Sequence, residues 1–259
     1  PLAASSAARY RKIARACIRR AVELEILDTD PWPPAPAGRS RRKATRVKRS
    51  IDTKVLPDPE SMRRALDRMV SHQPASQRYR VMTAVAYYAG LRPSEVVMLT
   101  ASALDLPASG WGSINVTEAD ISFDEPGEPK TGPRVVPIPE PLVTLLRSWV
   151  TTNGFASGDR LFRTRTGACP APSNWSRAWK RAQREAGLGD LRLYDLRHAA
   201  ATTWLMAGVP LGEVASRMGH SVETLVSTYV GALRGDTELA NQRIDAVLTV
   251  QKAVTGSIV

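Results

Sequence analysis

Along most of the chain, apolar side chains recur every three or four residues, the spacing that lines one face of an α-helix. Ala7, Ile13, Ala14, Cys17, Ile18, Ala21 and Leu24 fall at that spacing, with arginines between them, and predict a helix over 5–27. Asp58 suits the N-cap of a second helix running to Ser71. A third runs from Ser76 to Ala89, where Gly90 is placed to stop it. Pro93 suits the first turn of a short helix to Leu99. Further helices are predicted over 140–152, 173–186, 194–207, 210–217, 221–232 and 236–250, with Gly187 and Gly208 as stops and Pro210 as a start.

Three stretches break this period. Ser113–Thr117 and Ala119–Phe123 alternate polar with apolar residues, and Arg134–Ile138 is β-branched. They predict short strands in one small antiparallel sheet. The turn between the last two contains Pro126, Gly127, Pro129 and Gly132. The fold class is therefore mainly α with a small antiparallel β-sheet (α+β). No glycine-rich phosphate loop and no internal repeat is present, which argues against a doubly wound nucleotide-binding fold.

Charge divides the chain. Residues 1–50 hold 13 Lys+Arg against 4 Asp+Glu, whereas residues 51–259 hold 23 against 21. One near-neutral body carries one basic arm, a pattern that suits a polyanion, nucleic acid first and an anionic membrane surface second. Four prolines lie between Pro31 and Pro36 and favour an extended segment. After them, Arg39, Arg41, Arg42, Lys43, Arg46, Lys48 and Arg49 form an acid-free run. It is either a solvated tether or a contact that tracks a DNA backbone. Two cysteines, Cys17 and Cys169, cannot build a disulfide framework or a four-cysteine zinc site. The three histidines, His72, His198 and His220, have no metal-ligand spacing. The longest apolar stretch, around Val81 to Leu91, is too short to span a bilayer. A reducing, cytoplasmic setting is expected.

Candidate chemistry is scattered. Arg197 stands at the mouth of an apolar helix, three residues after Tyr194 and on its face, where it needs either an internal carboxylate or an external anion. Arg92 stands at a helix start, with Glu95 placed to orient it. Lys130 sits in a turn, His220 at a helix break, and Tyr229 two and a half turns beyond. Each is bland alone: a turn lysine, a helix-end histidine, a half-buried tyrosine. Together, two arginines, a lysine, a histidine and a tyrosine form a set suited to attack on a phosphodiester. Guanidinium forks match phosphate oxygens, and a phenol with a pKa near 10 needs a cationic surround to act.

Gly90-Leu91-Arg92-Pro93-Ser94-Glu95, Lys130 before Arg134-Val135-Val136-Pro137, Leu196-Arg197-His198, Gly219-His220-Ser221 and Thr228-Tyr229 occur in that order. Over roughly Asp58 to Ile244 the chain thus resembles the catalytic domain of the tyrosine recombinases, the phage-integrase type of site-specific recombinase. The resemblance implies that Arg92 and Arg197 clamp the scissile phosphate. Tyr229 attacks it to leave a 3′-phosphotyrosyl link and a free 5′-hydroxyl. Lys130 protonates the leaving oxygen, and His220 hydrogen-bonds a non-bridging one. Glu95 and His198 match recurrent positions and are expected to support these groups from behind. The family usually has histidine where this chain has Tyr194, so the proton of Tyr229 either goes elsewhere or Tyr194 only positions the phosphate.

The implied chemistry needs no cofactor and no metal, because the phosphotyrosyl bond keeps the energy of the broken phosphodiester. The implied partners are double-stranded DNA, further protomers in a homotetramer on DNA that is a monomer when free, and accessory DNA-bending proteins. The implied setting is a bacterial or phage-encoded mobile element at the nucleoid. Residues 1–29 are expected to be the last helix of a truncated core-binding domain, 30–50 a basic linker, and 51–259 the catalytic domain with a tail helix. Beginning at Pro1, the chain is expected to lack upstream sequence. Two alternatives stand beside this reading: a recombinase-like DNA binder without catalysis, and a type IB topoisomerase-like nicking enzyme.

Overall fold

The computed structural model describes residues 4–32, 56–70, 74–122 and 124–233, together with 241, 242, 244, 245 and 248. The chain divides into two compact units, Pro1–Val47 and Lys48–Val259. The first contains helix α1, Ala4–Glu23. Its end comes earlier than the expected residue 27. Glu25 adopts the left-handed conformation (φ 57°), and the Ile26 amide donates back to Ala21 O at 2.9 Å. This closure satisfies the last carbonyls and stops the helix without a glycine. The basic run from Arg39 to Arg49 lies outside the described residues.

In the second unit, α2 (Pro59–Val70) starts as expected. Asp58 Oδ1 accepts from the amides of Glu60 and Ser61, both at 2.9 Å. Met62, Ala65, Leu66 and Met69 form its buried stripe. It packs on α3 (Pro74–Tyr88), in which nearly every side chain from Tyr79 to Tyr87 is buried. A helix apolar on all sides belongs in the middle of a core. α3 also packs against α5 (Glu140–Asn153), α6 (Pro172–Glu185) and α7 (Leu193–Met206). The indoles of α6 lock it in place. Trp175 donates to Thr83 Oγ1 at 2.9 Å, and Trp179 to Leu191 O at 3.0 Å.

Gly90 ends α3 with φ +62°. A methyl group there would lie 3.0 Å from the Trp204 ring and 3.2 Å from Ala200 Cβ, both on α7. The glycine thus supplies a left-handed stop and a close approach at once. A short helix α4, Pro93–Val96, follows, and later α8 (Leu211–Met218) and α9 (Val222–Leu233). Of the helix expected over 236–250, the described residues are helical, and the rest lies outside them.

The sheet departs from the expected one. Strands β1 (Leu104–Asp105), β2 (Gly112–Val116) and β5 (Arg134–Ile138) form an antiparallel sheet in the order β1-β2-β5, with Ile114 opposite Val136 and Val116 opposite Arg134. The stretch expected as a third strand of that sheet contributes only β3 (Ala119–Asp120). This pairs with β4 (Pro126–Gly127) in a separate two-stranded ladder. Ile121 is turned out to solvent, and its amide closes the loop on Glu125 O at 3.0 Å. Pro137 is tolerated because β5 is an edge strand. Val136 and Ile138 point into the core, and the two-residue period puts Arg134 on that same inward face. No helix among the described residues is long and apolar enough to cross a membrane.

Candidate active site

The site is built around one carboxylate. Glu95, on the single turn of α4, is fully buried. Its Oε2 accepts from the Arg92 amide at 2.8 Å, and its Oε1 from Arg92 Nη1 at 2.8 Å. Arg134 reaches it from β5 as a fork, Nη1 to Oε1 at 3.0 Å and Nη2 to Oε2 at 2.8 Å. Arg197 Nη1 stands 3.9 Å from the same carboxylate. Burial works to raise the carboxyl pKa, but the hydrogen bonds and charge of Arg134, joined by the Arg92 amide and the charge of Arg197, more than offset it and hold Glu95 below the usual carboxylate range. Three guanidinium groups against one carboxylate leave two positive charges uncompensated in a largely buried place.

Backbone carbonyls at element ends aim these cations. Arg92 Nη2 donates to Gly219 O at 3.2 Å, just past α8, and Nη1 to Thr131 Oγ1 at 3.3 Å. Arg134 Nε donates to Arg217 O at 2.9 Å. Arg197, fully buried at the start of the second turn of α7, donates through Nη1 to Gly90 O at 2.5 Å and through Nη2 to Met218 O. Its Nε is buried without a partner. Burial, with Arg92 beside it, pushes its pKa down to about 10, so it stays cationic at neutral pH. Gly219 carries the left-handed C-cap of α8 (φ 54°) and turns the chain so that His220 faces Arg197. His220 Nε2 lies 3.2 Å from Arg197 Nη2. Burial and the two arginines lower the His220 pKa to about 4. The neutral ring accepts from Arg197 through Nε2, so its proton sits on Nδ1, which is buried and unpartnered. A cleft of about 460 Å³ opens here, lined by Thr131, Arg134, Gly219, His220 and Ser221 among others.

Tyr229 lies on α9 at a kink, with φ −113° and ψ 22°, close to the sparsely populated bridge region. Only 1% of it is exposed. Burial raises its pKa, with Arg197 opposing. Its Oη lies 2.7 Å from His198 Nδ1, one residue beyond Arg197 on α7. Burial lowers the His198 pKa to about 4, Asp195 opposing and Arg197 adding to the effect. The sequence had His198 behind the reacting groups, whereas the structure sets it directly against Tyr229. Tyr194 is 38% exposed and packs its ring edge-on to His198, with centroids 5.0 Å apart.

Lys130 occupies the second position of a turn closed by Gly132 N–H to Pro129 O at 2.8 Å, and its side chain is exposed. The turn is tied to the site through Thr131, and the Lys130 amine makes no hydrogen bond among the described residues. Sequence reasoning missed Arg134 and Thr131. In the sequence Arg134 is only the first residue of an expected strand, although its inward register follows from the alternation of β5. Thr131 had no signal, because its contact depends on how the turn docks.

Several known proteins resemble this chain. The phage integrase family's sequence pattern matches residues 58–234. A Mycobacterium tuberculosis protein named as a prophage phiRv2 integrase is 39% identical over 71 residues, covering 27% of this chain and 19% of that protein. The integrase of Saccharopolyspora erythraea is 31% identical over 110 residues, covering 39% of this chain and 25% of that protein. The matched stretch thus spans a quarter or less of each curated relative. Among solved structures, XerA recombinase shares the fold with a TM-score of 0.55 at 23% identity, covering 73% of this chain and 63% of that one. The Tn1549 transposon integrase, in complex with transposon right end DNA, gives a TM-score of 0.62 at 16% identity, covering 95% of this chain and 80% of that one. The matched region takes in every element that supplies Arg92, Arg134, Arg197, His220 and Tyr229, and the chain belongs to the phage integrase family.

Proposed function

We propose that this chain is a site-specific DNA recombinase that cleaves and rejoins strands by transesterification through a 3′-phosphotyrosyl intermediate. The observation that carries the reading is the charge imbalance around Glu95. Arg92, Arg134 and Arg197 converge on one carboxylate, and Arg197 Nε and His220 Nδ1 are buried with no acceptor. Buried donors without partners are costly. A phosphodiester supplies both the missing charge and the missing acceptors. The DNA-bound state of the Tn1549 integrase and of XerH recombinase on its difH substrate supports DNA as the source of that phosphate.

In this reading Arg92 and Arg197 hold the two non-bridging oxygens and neutralise the charge that builds in the five-coordinate transition state. His220 donates to one of them through Nδ1. Tyr229 Oη attacks phosphorus, and Lys130, on its exposed turn, gives a proton to the departing 5′-oxygen. The second strand exchange is the same reaction reversed, with a new 5′-hydroxyl displacing Tyr229. Residues 1–29 and the basic stretch to Arg49 add their positive charge to duplex binding. Further protomers supply the other strands.

The test is a nicked duplex that traps the covalent adduct, selected from a random-sequence pool by retention on the chain. The wild-type chain is expected to become covalently linked to the 3′ end, and Tyr229→Phe to form no adduct. An adduct on the phenylalanine variant overturns the assignment of the nucleophile. Retention of duplex with no adduct on the wild type overturns catalysis in favour of binding alone. Relaxation of plasmids of arbitrary sequence points instead to a topoisomerase-like activity.

A further inference from the structure

A phenol attacking phosphorus must lose its proton, and the sequence left that proton without a destination. Two side chains face Tyr229 closely enough to matter, Tyr194 and His198. Tyr194 is a poor acceptor: a second phenol is a very weak base near neutral pH, and its hydroxyl makes no hydrogen bond among the described residues. His198 is the contrary case. Its Nδ1 lies 2.7 Å from Tyr229 Oη, inside the range required of a general base before any substrate is present. The Tyr194 ring braces it edge-on from the preceding turn of α7.

We propose that His198, through Nδ1, is the base that takes the phenolic proton of Tyr229 as its oxygen attacks phosphorus. The proposal rests on the reading of Tyr229 as the nucleophile. The Tyr229 O–H bond breaks and its proton passes to His198 Nδ1. The Oη–P bond forms and the P–O5′ bond breaks. O5′ takes a proton from Lys130, and the reverse transfers accompany rejoining.

The groups facing the imidazole suit a transient gain of charge. Asp195 on the same helix favours the protonated ring, and Arg197 and Arg192 oppose it. His220 is close enough to feel it. At rest the ring is neutral, and in its Nε2–H tautomer the Nδ1 lone pair accepts from the Tyr229 hydroxyl. Transfer need not precede attack. A phenol oxygen bonding to phosphorus becomes strongly acidic in the transition state, and the arriving phosphate brings negative charge beside the forming imidazolium.

Two measurements on the whole chain test this. In the first, ¹⁵N-edited spectra of the imidazoles in the free protein are expected to show His198 as the Nε2–H tautomer with Nδ1 unprotonated. An Nδ1–H tautomer overturns the proposal, because the ring would then be donating to Tyr229. In the second, adduct formation on the retained nicked duplex is followed in a single turnover. Asparagine places an acceptor near the Nδ1 position yet cannot take a proton, so His198→Asn is expected to slow adduct formation about 100-fold or more. His198→Ala is expected to be equally slow and to recover with added imidazole, a readout that a merely structural role or a damaged fold would not give. A His198→Asn rate equal to wild type overturns His198 as the base while leaving Tyr229 as the nucleophile. Adduct on Tyr229→Phe overturns the underlying reading itself.

Discussion

Glu95 shows what a single side chain does here. It is the one carboxylate among the described residues that the three guanidiniums of Arg92, Arg134 and Arg197 share. Removing one partner of a buried ion pair leaves uncompensated charge and costs about 3 kcal/mol or more. Glu95→Gln is therefore expected to lower the unfolding free energy measured by urea denaturation by that order, with the fold retained in far-UV circular dichroism. The carboxyl is held below its ordinary value in the folded chain. It contributes stability above the unfolded value near 4.5, and that stability is lost as pH falls through the folded one. The glutamine variant is expected to lack this part of the acid limb. The histidines act in a higher window. His198 and His220 drop from 6.5 to about 4 on folding, so between those values the unfolded chain binds protons that the folded chain refuses. Stability is expected to fall as pH drops from 6.5 to about 4. The slope should be shallower in the His198→Asn, His220→Gln double variant, read from urea midpoints across pH. Arg92, Arg197, His220 and Tyr229 were legible in the sequence because their neighbours form recognisable runs. Arg134 was not, because a strand arginine has no meaning until Glu95 is placed beside it.

At the scale of elements, the site depends on where helices stop. Gly90 ends α3 and offers its carbonyl to Arg197, and Gly219 ends α8 and offers its carbonyl to Arg92. Gly219 is the tighter of the two. A Cβ there would lie 2.4 Å from Thr131 Oγ1, on a backbone already at φ +54°. Gly219→Ala is expected to cost about 1–2 kcal/mol for the left-handed conformation alone and to push the Lys130 turn away from Arg92. Adding Thr131→Ala is expected to restore only the part due to the clash, so the double variant should melt between wild type and Gly219→Ala. If Gly219→Ala melts with wild type, the cap is not under the constraint described. Helix stops of this kind were legible, since glycine and proline punctuate the chain at Gly90, Gly187, Gly208 and Pro210. The end of α1 was not, because Glu25 takes a conformation that its residue type gives no reason to expect. Nor was the split of the strands. A two-residue ladder such as β3 with β4 has too few positions to show a period, and its pairing is decided by the loop that joins it.

For the molecule as a whole, the uneven charge becomes a question of which cations do which task. The body holds nearly equal numbers of acids and bases. Three guanidiniums share the one carboxylate of Glu95, an excess of charge that suits a single anion but is too local to track a duplex. The run from Arg39 to Arg49 is the opposite, seven cations in eleven residues with no acid to oppose them. Each phosphate neutralised on duplex DNA adds about 0.9 to the magnitude of the slope of log K against log salt. If this run tracks the backbone, its deletion is expected to weaken duplex binding at low salt and to flatten that slope by several units, up to about six if every cation meets a phosphate. The slope that remains then reads the body's own cations, the exposed Arg177, Lys180, Arg181 and Arg184 along α6 among them. A tether predicts something different. Deletion would lower affinity equally at every salt concentration, because it would change how the two units reach the duplex without changing how many counterions are released. Filter binding of one duplex across a salt series, on the whole chain and on the chain lacking residues 39–49, separates the two, and an unchanged slope assigns the run to the tether.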